Sequence, residues 1–295
     1  MSTEFIQAPK GHAKAGFALI TSEAELRAHV WEWRTANEII AFVPTMGALH
    51  DGHISLIAKA KRHASKVVAS IYVNETQFAA GEDLDTYPRD HEGDCKMLKR
   101  AGCDLVYIPE KMYGPHHSTT INVGGPALGL ETDHRAHFFA GVALIVTKLF
   151  NQVQPDIAVF GEKDYQQLLT IRRMVSDLDM PVRILGAPIL REQDGLAMSS
   201  RNRYFDGTGR EIAGKLNIIM QTCAKDILDG YDINTATKKA SADIIKAGFD
   251  SVDYVAVADT HSLELLSGTL GARPARLLIA AHCKGVRLID NCAVG

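Results

Sequence analysis

The chain lacks any cysteine pattern. Cys95, Cys103, Cys223, Cys283 and Cys292 are odd in number and scattered, and no two make a C-x-x-C pair. This argues against a disulfide framework or a cysteine zinc site, and the expectation is reduced thiols in a cytoplasmic protein. Long apolar runs are missing too. No segment approaches the ~20 apolar residues of a membrane span. Residues 1–16 are polar and glycine-bearing, without the apolar centre of a secretory signal. Neither sign of charge dominates, since 32 Lys and Arg against 35 Asp and Glu leave a net −3. A nucleic-acid-binding surface is therefore not expected, although a local basic pocket is compatible with this balance. There is no internal repeat and no low-complexity tract. What is present is ordinary for a globular protein, 46% apolar and 23% charged over 295 residues. That is enough for a sizeable core in one large domain or two smaller ones.

The rest of the chain is arranged around Ile39–His53, IIAFVPTMGALHDGH. Ile39 to Val43 is rich in β-branched and aromatic side chains, the pattern of a buried parallel strand. Pro44 is expected to end it, since proline cannot donate to a ladder. Gly47 relaxes the backbone. Ile54, Leu56, Ile57 and Ala60 then recur at helical spacing. His50, Gly52 and His53 thus fall in the turn from a strand into the first turn of a helix. Free N–H groups and a partial positive charge at a helix start suit phosphate, and Gly52 has no Cβ to hold one off. Two imidazoles three residues apart point to the same side. By itself His-x-Gly-His is weak evidence, being most often an accident of a loop. A zinc helix would need i, i+4 spacing and a glutamate, and has neither.

Residues 1–18 read as a flexible leader. Thr21-Ser22 caps a helix running to about Asn37. Strands at 39–43, 67–73, 105–108, 157–160 and about 182–185 alternate with helices at 53–63, 90–100, 139–153 and from Tyr165, and one further strand is expected at 119–123. Alternation at this pace predicts an α/β fold, a doubly wound parallel sheet. Past Pro188 the texture changes. The polar loop Arg191–Arg203 leads to helical patterns at about 207–228 and 235–247, then to strands near 252–257, 277–281 and 286–288. The expected organisation is a leader (1–18), a Rossmann-like domain (19–188) and a smaller α+β C-terminal domain (189–295).

Two polar groups sit where α/β sheets place ligand-binding side chains, beyond the carboxyl ends of strands. Asn74-Glu75-Thr76-Gln77-Phe78 follows the second strand, and Gly161-Glu162-Lys163-Asp164 follows the strand at 157–160. Lys163 can neutralise a phosphate and Asp164 can hold Mg2+ through water, though Gly, Lys and Asp are equally at home in an exposed turn. Gln167 lies one helical turn beyond Asp164. With Gln77 it offers amides that donate to a carboxylate and accept from a hydroxyl. Met198-Ser199-Ser200-Arg201 puts two hydroxyls and a guanidinium within four residues, a set that can grip a triphosphate or serve as a plain surface linker. His134 and His137 are spaced for a metal, but a solvated loop is the simpler reading.

Strand, His-x-Gly-His, helix and a later serine-rich basic loop together resemble the HIGH/KMSKS nucleotidyltransferase superfamily. Within it, five segments are similar in order and spacing to the pantoate–β-alanine ligase family, over about residues 20–290. They are Pro44–His53 (PTMGALHDGH), Val73–Phe78 (VNETQF), Tyr87–Arg89 (YPR), Phe160–Leu168 (FGEKDYQQL) and Asp194–Asn202 (DGLAMSSRN).

The resemblance implies an ATP-dependent condensation in two steps. The carboxylate of pantoate attacks the α-phosphate of ATP, giving pantoyl adenylate and pyrophosphate, and the amine of β-alanine then displaces AMP. It implies an ATP site of Met46, Gly47, His50, Gly52, His53, Gly161, Glu162, Lys163, Asp164, Leu190, Met198, Ser199, Ser200 and Arg201. His53, His50, Lys163 and Arg201 would be its catalytic groups, with His53 as proton donor. Gln77, Gln167 and Asn74 would hold pantoate and β-alanine, and Met46 and Phe78 could wall the gem-dimethyl group. Mg2+ is implied, with Asp164 as its carboxylate, and so is a homodimer built through the first domain. Such chemistry needs positioning and charge stabilisation more than covalent help. Two departures stand out. The family usually has proline where Glu75 stands. It also usually reads Arg-Pro-x-His-Phe, where this chain has Arg135-Ala136-His137-Phe138-Phe139, so Phe138 takes the histidine position. Phe138 is expected to pack on the helix that follows, with His137 solvated. An adenylyltransferase acting on a phosphorylated alcohol and a non-catalytic nucleotide-binding module share part of the pattern. The first would need no amine, and the second would show no pyrophosphate exchange. The near-neutral charge and the missing anticodon-binding domain argue against a tRNA synthetase.

Overall fold

The alternating apolar runs of the first half assemble into one parallel sheet. A computed structural model describes residues 16–79 and 81–295. β1 (Ala18–Ile20) precedes α1 (Glu23–Thr35), which is capped by the Ser22 side chain accepting from the Glu25 N–H. β2 (Ile40–Thr45), α2 (Asp51–Lys61), β3 (Lys66–Ile71), α3 (His91–Arg100) and β4 (Leu105–Tyr107) follow. After a loop-rich stretch come the single turn α4 (Glu131–His134), the long α5 (Phe138–Val153), β5 (Ile157–Gly161), α6 (Tyr165–Asp177) and β6 (Arg183–Ala187). All six strands are parallel, in the order β1-β4-β3-β2-β5-β6. α1, α5 and α6 bury one face, where Leu26, Phe150 and Leu168 meet Phe42. On the other face α2 and α3 set Ile57 and Leu98 against Ala41, Val43 and Ala69. Helices on both faces make the sheet doubly wound and Rossmann-like, as the strand–helix alternation predicts.

This topology determines where a ligand can sit. The strand order reverses at β2, which pairs β3 on one side and β5 on the other. A crevice opens beyond the carboxyl ends of strands at such a switch point. The two strands flanking it are the ones followed by His50–His53 and by Gly161–Asp164.

Three expectations are corrected. The leader ends sooner than residue 18. Ala18–Ile20 forms an edge strand on Leu105–Tyr107, too short to show periodicity and formed because β4 offers it a free edge; residues 1–15 of the leader lie outside the described residues. Pro44 does not end its strand. Ile40 directs its N–H and C=O at Asp156, just before β5, and alternation points residue 44 to that same side. Pairing with β5 covers only Ala41 and Phe42, so the missing N–H falls where no ladder partner needs it. Residues 119–123 form no strand, because Ile121 and Val123 instead pack their side chains on the first core.

From Gly207 the chain builds α7 (Gly207–Leu228), α8 (Ile233–Lys246) and the antiparallel strands β7 (Ser251–Asp259), β8 (Ala275–Cys283) and β9 (Val286–Val294). Asp206 and Asp232 cap the two helices. Leu216, Met220 and Ile244 pack with Leu277 and Ile279 in a separate core. The alternate residue Leu278 faces the opposite way and meets Leu130, Tyr165 and Leu169. The smaller sheet therefore has one face on its own helices and the other against the first sheet's connections. This is the smaller α+β unit expected after Pro188.

Candidate active site

The segment from β2 to α2 is held in a shape that its own residues would not choose. Gly47 and Ala48 have φ of +81° and +51°, left-handed backbone that glycine takes freely and alanine at a cost. A buried carboxylate holds them there. Asp94 of α3, 3% exposed, accepts the Ala48 N–H at 2.9 Å and the Leu49 N–H at 2.8 Å. Burial pushes the Asp94 pKa above the ordinary carboxylate value, and the two N–H donors only partly offset this. A Cβ on Gly47 would lie 2.9 Å from that carboxylate.

The two histidines cap α2 reciprocally. His50 Nδ1 accepts the Gly52 N–H at 3.2 Å, and His53 Nδ1 accepts the His50 N–H at 3.4 Å. This box is usually built from Ser or Thr with Glu. With Nδ1 accepting in both rings, Nε2 carries the proton of the neutral form. Burial, then the Lys163 and Arg203 charges, lower the His50 pKa to about 4. Burial, then His50, Lys163 and Arg203, lower that of His53 to about 3. At neutral pH both are uncharged N–H donors, so the proton that His53 can offer is a hydrogen-bonding one. Gly52 first makes room for the cap, because a Cβ there would come 2.8 Å from the His50 ring.

Across the switch point, β5 runs into a single 3-10 turn, Glu162–Asp164. Lys163 lies 3.6 Å from the Asp164 carboxylate, and its charge reaches both histidines. Glu162 turns away, toward Arg276 of β8 at 3.5 Å. The loop before α7 closes the third side. Ser199 Oγ accepts the Arg201 N–H, and buried Ser200 lies 3.2 Å from the Tyr87 hydroxyl. Arg203 donates to the Leu49 carbonyl at 2.8 Å, tying this loop to the histidine turn.

The Asn74–Phe78 loop is held as firmly. Asn74 Nδ2 donates to Gln77 Oε1 at 3.1 Å and to the Gly141 carbonyl at 3.2 Å, while its Oδ1 accepts from Tyr113 and Thr76. A side chain so occupied positions Gln77, whose Nε2 lies 3.0 Å from Met46 Sδ. Arg135 donates to the Gln77 carbonyl at 3.2 Å, makes two 2.6 Å hydrogen bonds to Glu82, and lies 4.0 Å from the centre of the Phe138 ring. Phe138 is half-buried on the cavity wall, less enclosed than a core residue. His137 is exposed and makes no cap bond. Glu75 is exposed and accepts the Tyr72 hydroxyl at 2.9 Å.

These segments enclose a cavity of about 890 Å³ between the two sheets. Met46, His50, Gly52, His53, Asn74, Gln77, Gly161, Lys163, Asp164, Gln167, Leu190, Met198, Ser199, Ser200 and Arg201 all line it. Gly47 and Glu162 do not, the first standing behind the wall and the second facing the smaller sheet. Asp94, Arg203 and Asn291 of β9 were not apparent from sequence. Asp94 had one signal: it stands four residues before Leu98, on the stripe of α3 that is buried. Arg203 had the basic end of its loop, and Asn291 had none. Among the described residues no three His, Cys, Asp or Glu side chains converge as a metal cage. Asp164 on the cavity wall offers one carboxylate of the kind that suits Mg2+ completed by phosphate oxygens and water. No helix among the described residues is long and apolar enough to cross a membrane.

Known proteins resemble this chain over nearly its whole length. A family model described as Pantoate-beta-alanine ligase matches residues 18–293. The pantothenate synthetase of Maricaulis maris (strain MCS10) is 50% identical over 275 residues, spanning 92% of this chain and 95% of that protein. That of Caulobacter vibrioides is 47% identical over 280 residues, spanning 94% and 98%. Among solved structures, pantothenate synthetase from Thermus thermophilus has a TM-score of 0.86 at 40% identity, covering 94% of this chain and 99% of that one. The pantoate-beta-alanine ligase from Francisella tularensis, complexed with Beta-gamma ATP and Beta-alanine, has a TM-score of 0.78 at 30% identity, covering 94% and 97%.

Proposed function

The chain belongs to the pantoate–β-alanine ligase family, and from that premise we propose that it condenses pantoate with β-alanine using ATP, through a pantoyl adenylate. One observation carries the reading. Two phosphate-suited turns, His50–His53 after β2 and Gly161–Asp164 after β5, face one cavity across the switch point, with Met198–Arg201 on its third side. The ATP complex of the Francisella protein supports the same assignment.

In the first step a carboxylate oxygen of pantoate attacks the α-phosphorus and pyrophosphate leaves. The nucleophile is already ionised, so no general base is required. Charge develops on phosphoryl oxygens, where preorganised donors contribute most. The Nε2–H groups of His50 and His53, the Lys163 ammonium and the Arg201 guanidinium supply them. Gln77 and Gln167 orient pantoate, with Asn74 holding Gln77, and Met46 and Phe78 give its methyl groups an apolar wall. Asp164 would hold Mg2+, which when bound neutralises phosphate charge. In the second step the β-alanine amine attacks the acyl carbon and AMP leaves. Residues 189–295 act as a lid domain on the Rossmann-like domain 19–188, in a cytoplasmic homodimer joined through the first domain.

The test is ATP–pyrophosphate exchange. Exchange should require pantoate and no β-alanine, and β-alanine should then release AMP. Exchange independent of pantoate, or none with all substrates present, would overturn the reading.

A further inference from the structure

Asn291 of β9 is 2% exposed, and every polar atom of its side chain is committed. Nδ2 donates to the carbonyls of Glu162 at 3.0 Å and Lys163 at 2.8 Å, while Oδ1 accepts from Arg276 Nε at 2.7 Å. Exchanging the amide oxygen and nitrogen would set an oxygen against two carbonyls and an amine against a guanidinium, so the partners fix the orientation. The preceding residue does the matching thing on the opposite wall. Asp290, also 2% exposed, takes both prongs of Arg191 at 2.6 and 2.9 Å, and Arg191 begins the loop that carries Met198–Arg201. The two are linked, since Asp290 Oδ1 accepts the Asn291 N–H at 2.7 Å. A buried strand residue that served only packing would be apolar, because an amide is costly to bury unless satisfied. Here the amide is spent on the two carbonyls of the turn that aims Lys163 into the cavity.

We propose that Asn291 is a positioning residue for Lys163. It fixes the Glu162–Lys163 turn so that the ammonium faces the His50–His53 pair, and with Asp290 it keeps that turn in register with the Met198–Arg201 loop. This rests on the reading that Lys163 meets the phosphates of ATP.

Asn291→Asp is nearly isosteric, keeps the acceptor for Arg276 and removes both donors to the turn. It should lower kcat of pantoate-dependent exchange by about tenfold to a hundredfold, as small displacements of a catalytic group do, with KM for pantoate unchanged within about twofold. In a Lys163→Ala background the same change should cost less than about twofold further, because the effect runs through Lys163. Unchanged exchange in a folded Asn291→Asp protein, or losses that simply add, overturn the proposal. Should Asn291→Asp not fold, Arg276→Met, which has no N–H to give, leaves Asn291 in place without the donor that orients it. A smaller loss is expected there, again masked by Lys163→Ala, and an unmasked loss or none overturns the proposal equally. The same cycle run on the ATP Kd by calorimetry separates the two readings. A wild-type protein without exchange counts against the function, while coupling or additivity in Kd still decides the role of Asn291.

Discussion

Arg201 holds Asp83 with the two-pronged grip that a guanidinium gives a phosphate, Nε to Oδ2 at 2.9 Å and Nη2 to Oδ1 at 2.7 Å. The Tyr204 hydroxyl joins at 3.2 Å. Burial of Asp83 opposes its ionisation, but the Arg201 hydrogen bonds and charge outweigh it and keep the carboxyl below its ordinary pKa. A phosphate that took the same Nε–Nη2 edge of Arg201 would have to displace this carboxylate.

Asp83→Asn should accordingly favour ATP. A partly exposed pair contributes about 0.2–1 kcal/mol, so KM for ATP should fall by at most about fivefold. Arg201→Ala should cut exchange by about 10²–10³, and Arg201→Lys should not restore it, because lysine lacks the fork. Steady-state kinetics at varied ATP decide this. A raised KM in Asp83→Asn would mean that the carboxylate holds Arg201 in its working place.

The histidine pair makes stability depend on pH. An imidazole whose folded pKa is lowered binds more protons in the unfolded chain, so unfolding free energy rises with pH between the two values. Its contribution is complete above about pH 6.5 and is lost as pH falls toward about 4 for His50 and about 3 for His53. The thermal midpoint should drop across that window. The drop should be shallower in His50→Asn/His53→Asn, where asparagine can still cap α2. Identical slopes in the two proteins would show that other groups are responsible.

Asp94→Ala should leave the Ala48 and Leu49 N–H groups buried without an acceptor, at about 1–3 kcal/mol each. It should also release the turn that aims His50, so exchange falls along with stability. Asp94→Asn keeps one acceptor and should lie between. Urea unfolding together with exchange assays tests this, and wild-type stability in Asp94→Ala would remove the anchoring role.

Position 138 separates packing from chemistry. His137→Ala should change stability by less than about 0.5 kcal/mol, as exposed positions do, and leave kcat/KM for all three substrates unaltered. Phe138 is half-buried beneath Arg135, so Phe138→Ala should cost less than emptying a core site, about 1–3 kcal/mol from lost apolar and cation–π contact. It should raise KM for pantoate through the Arg135–Gln77 link. A tenfold loss of kcat/KM in a stable His137→Ala protein would show that the loop delivers that imidazole to the site.

The sheet was legible because parallel strands buried on both faces read as unbroken apolar runs, as at Ile39–Val43 and Ile157–Phe160. The caps were legible where a short polar side chain precedes a periodic stretch, as Ser22 does. The switch point then follows from topology, and with it the meeting of His50–His53 and Lys163. What stayed hidden acts on backbone groups distant in sequence. Periodicity places Asp94 on the buried stripe of α3 without saying that it meets the Ala48 and Leu49 N–H groups. Nothing in the alternation of β9 distinguishes Asn291 from any polar residue of a half-exposed strand. Ala18–Ile20 is a strand only because a neighbour presents an edge.

The anchoring of Lys163 by β9 also has a consequence for biosynthesis. Asn291 lies 128 residues beyond the lysine whose carbonyl it binds, and at roughly 5–20 residues per second the ribosome needs about 6–26 s to travel between them. All six strands of the parallel sheet have been made by Ala187, long before that amide emerges. A chain stalled after β6 can thus close its first sheet while the lysine turn still lacks its anchor. Gain of activity during translation should follow the emergence of β9 and lag behind protease resistance of the first core.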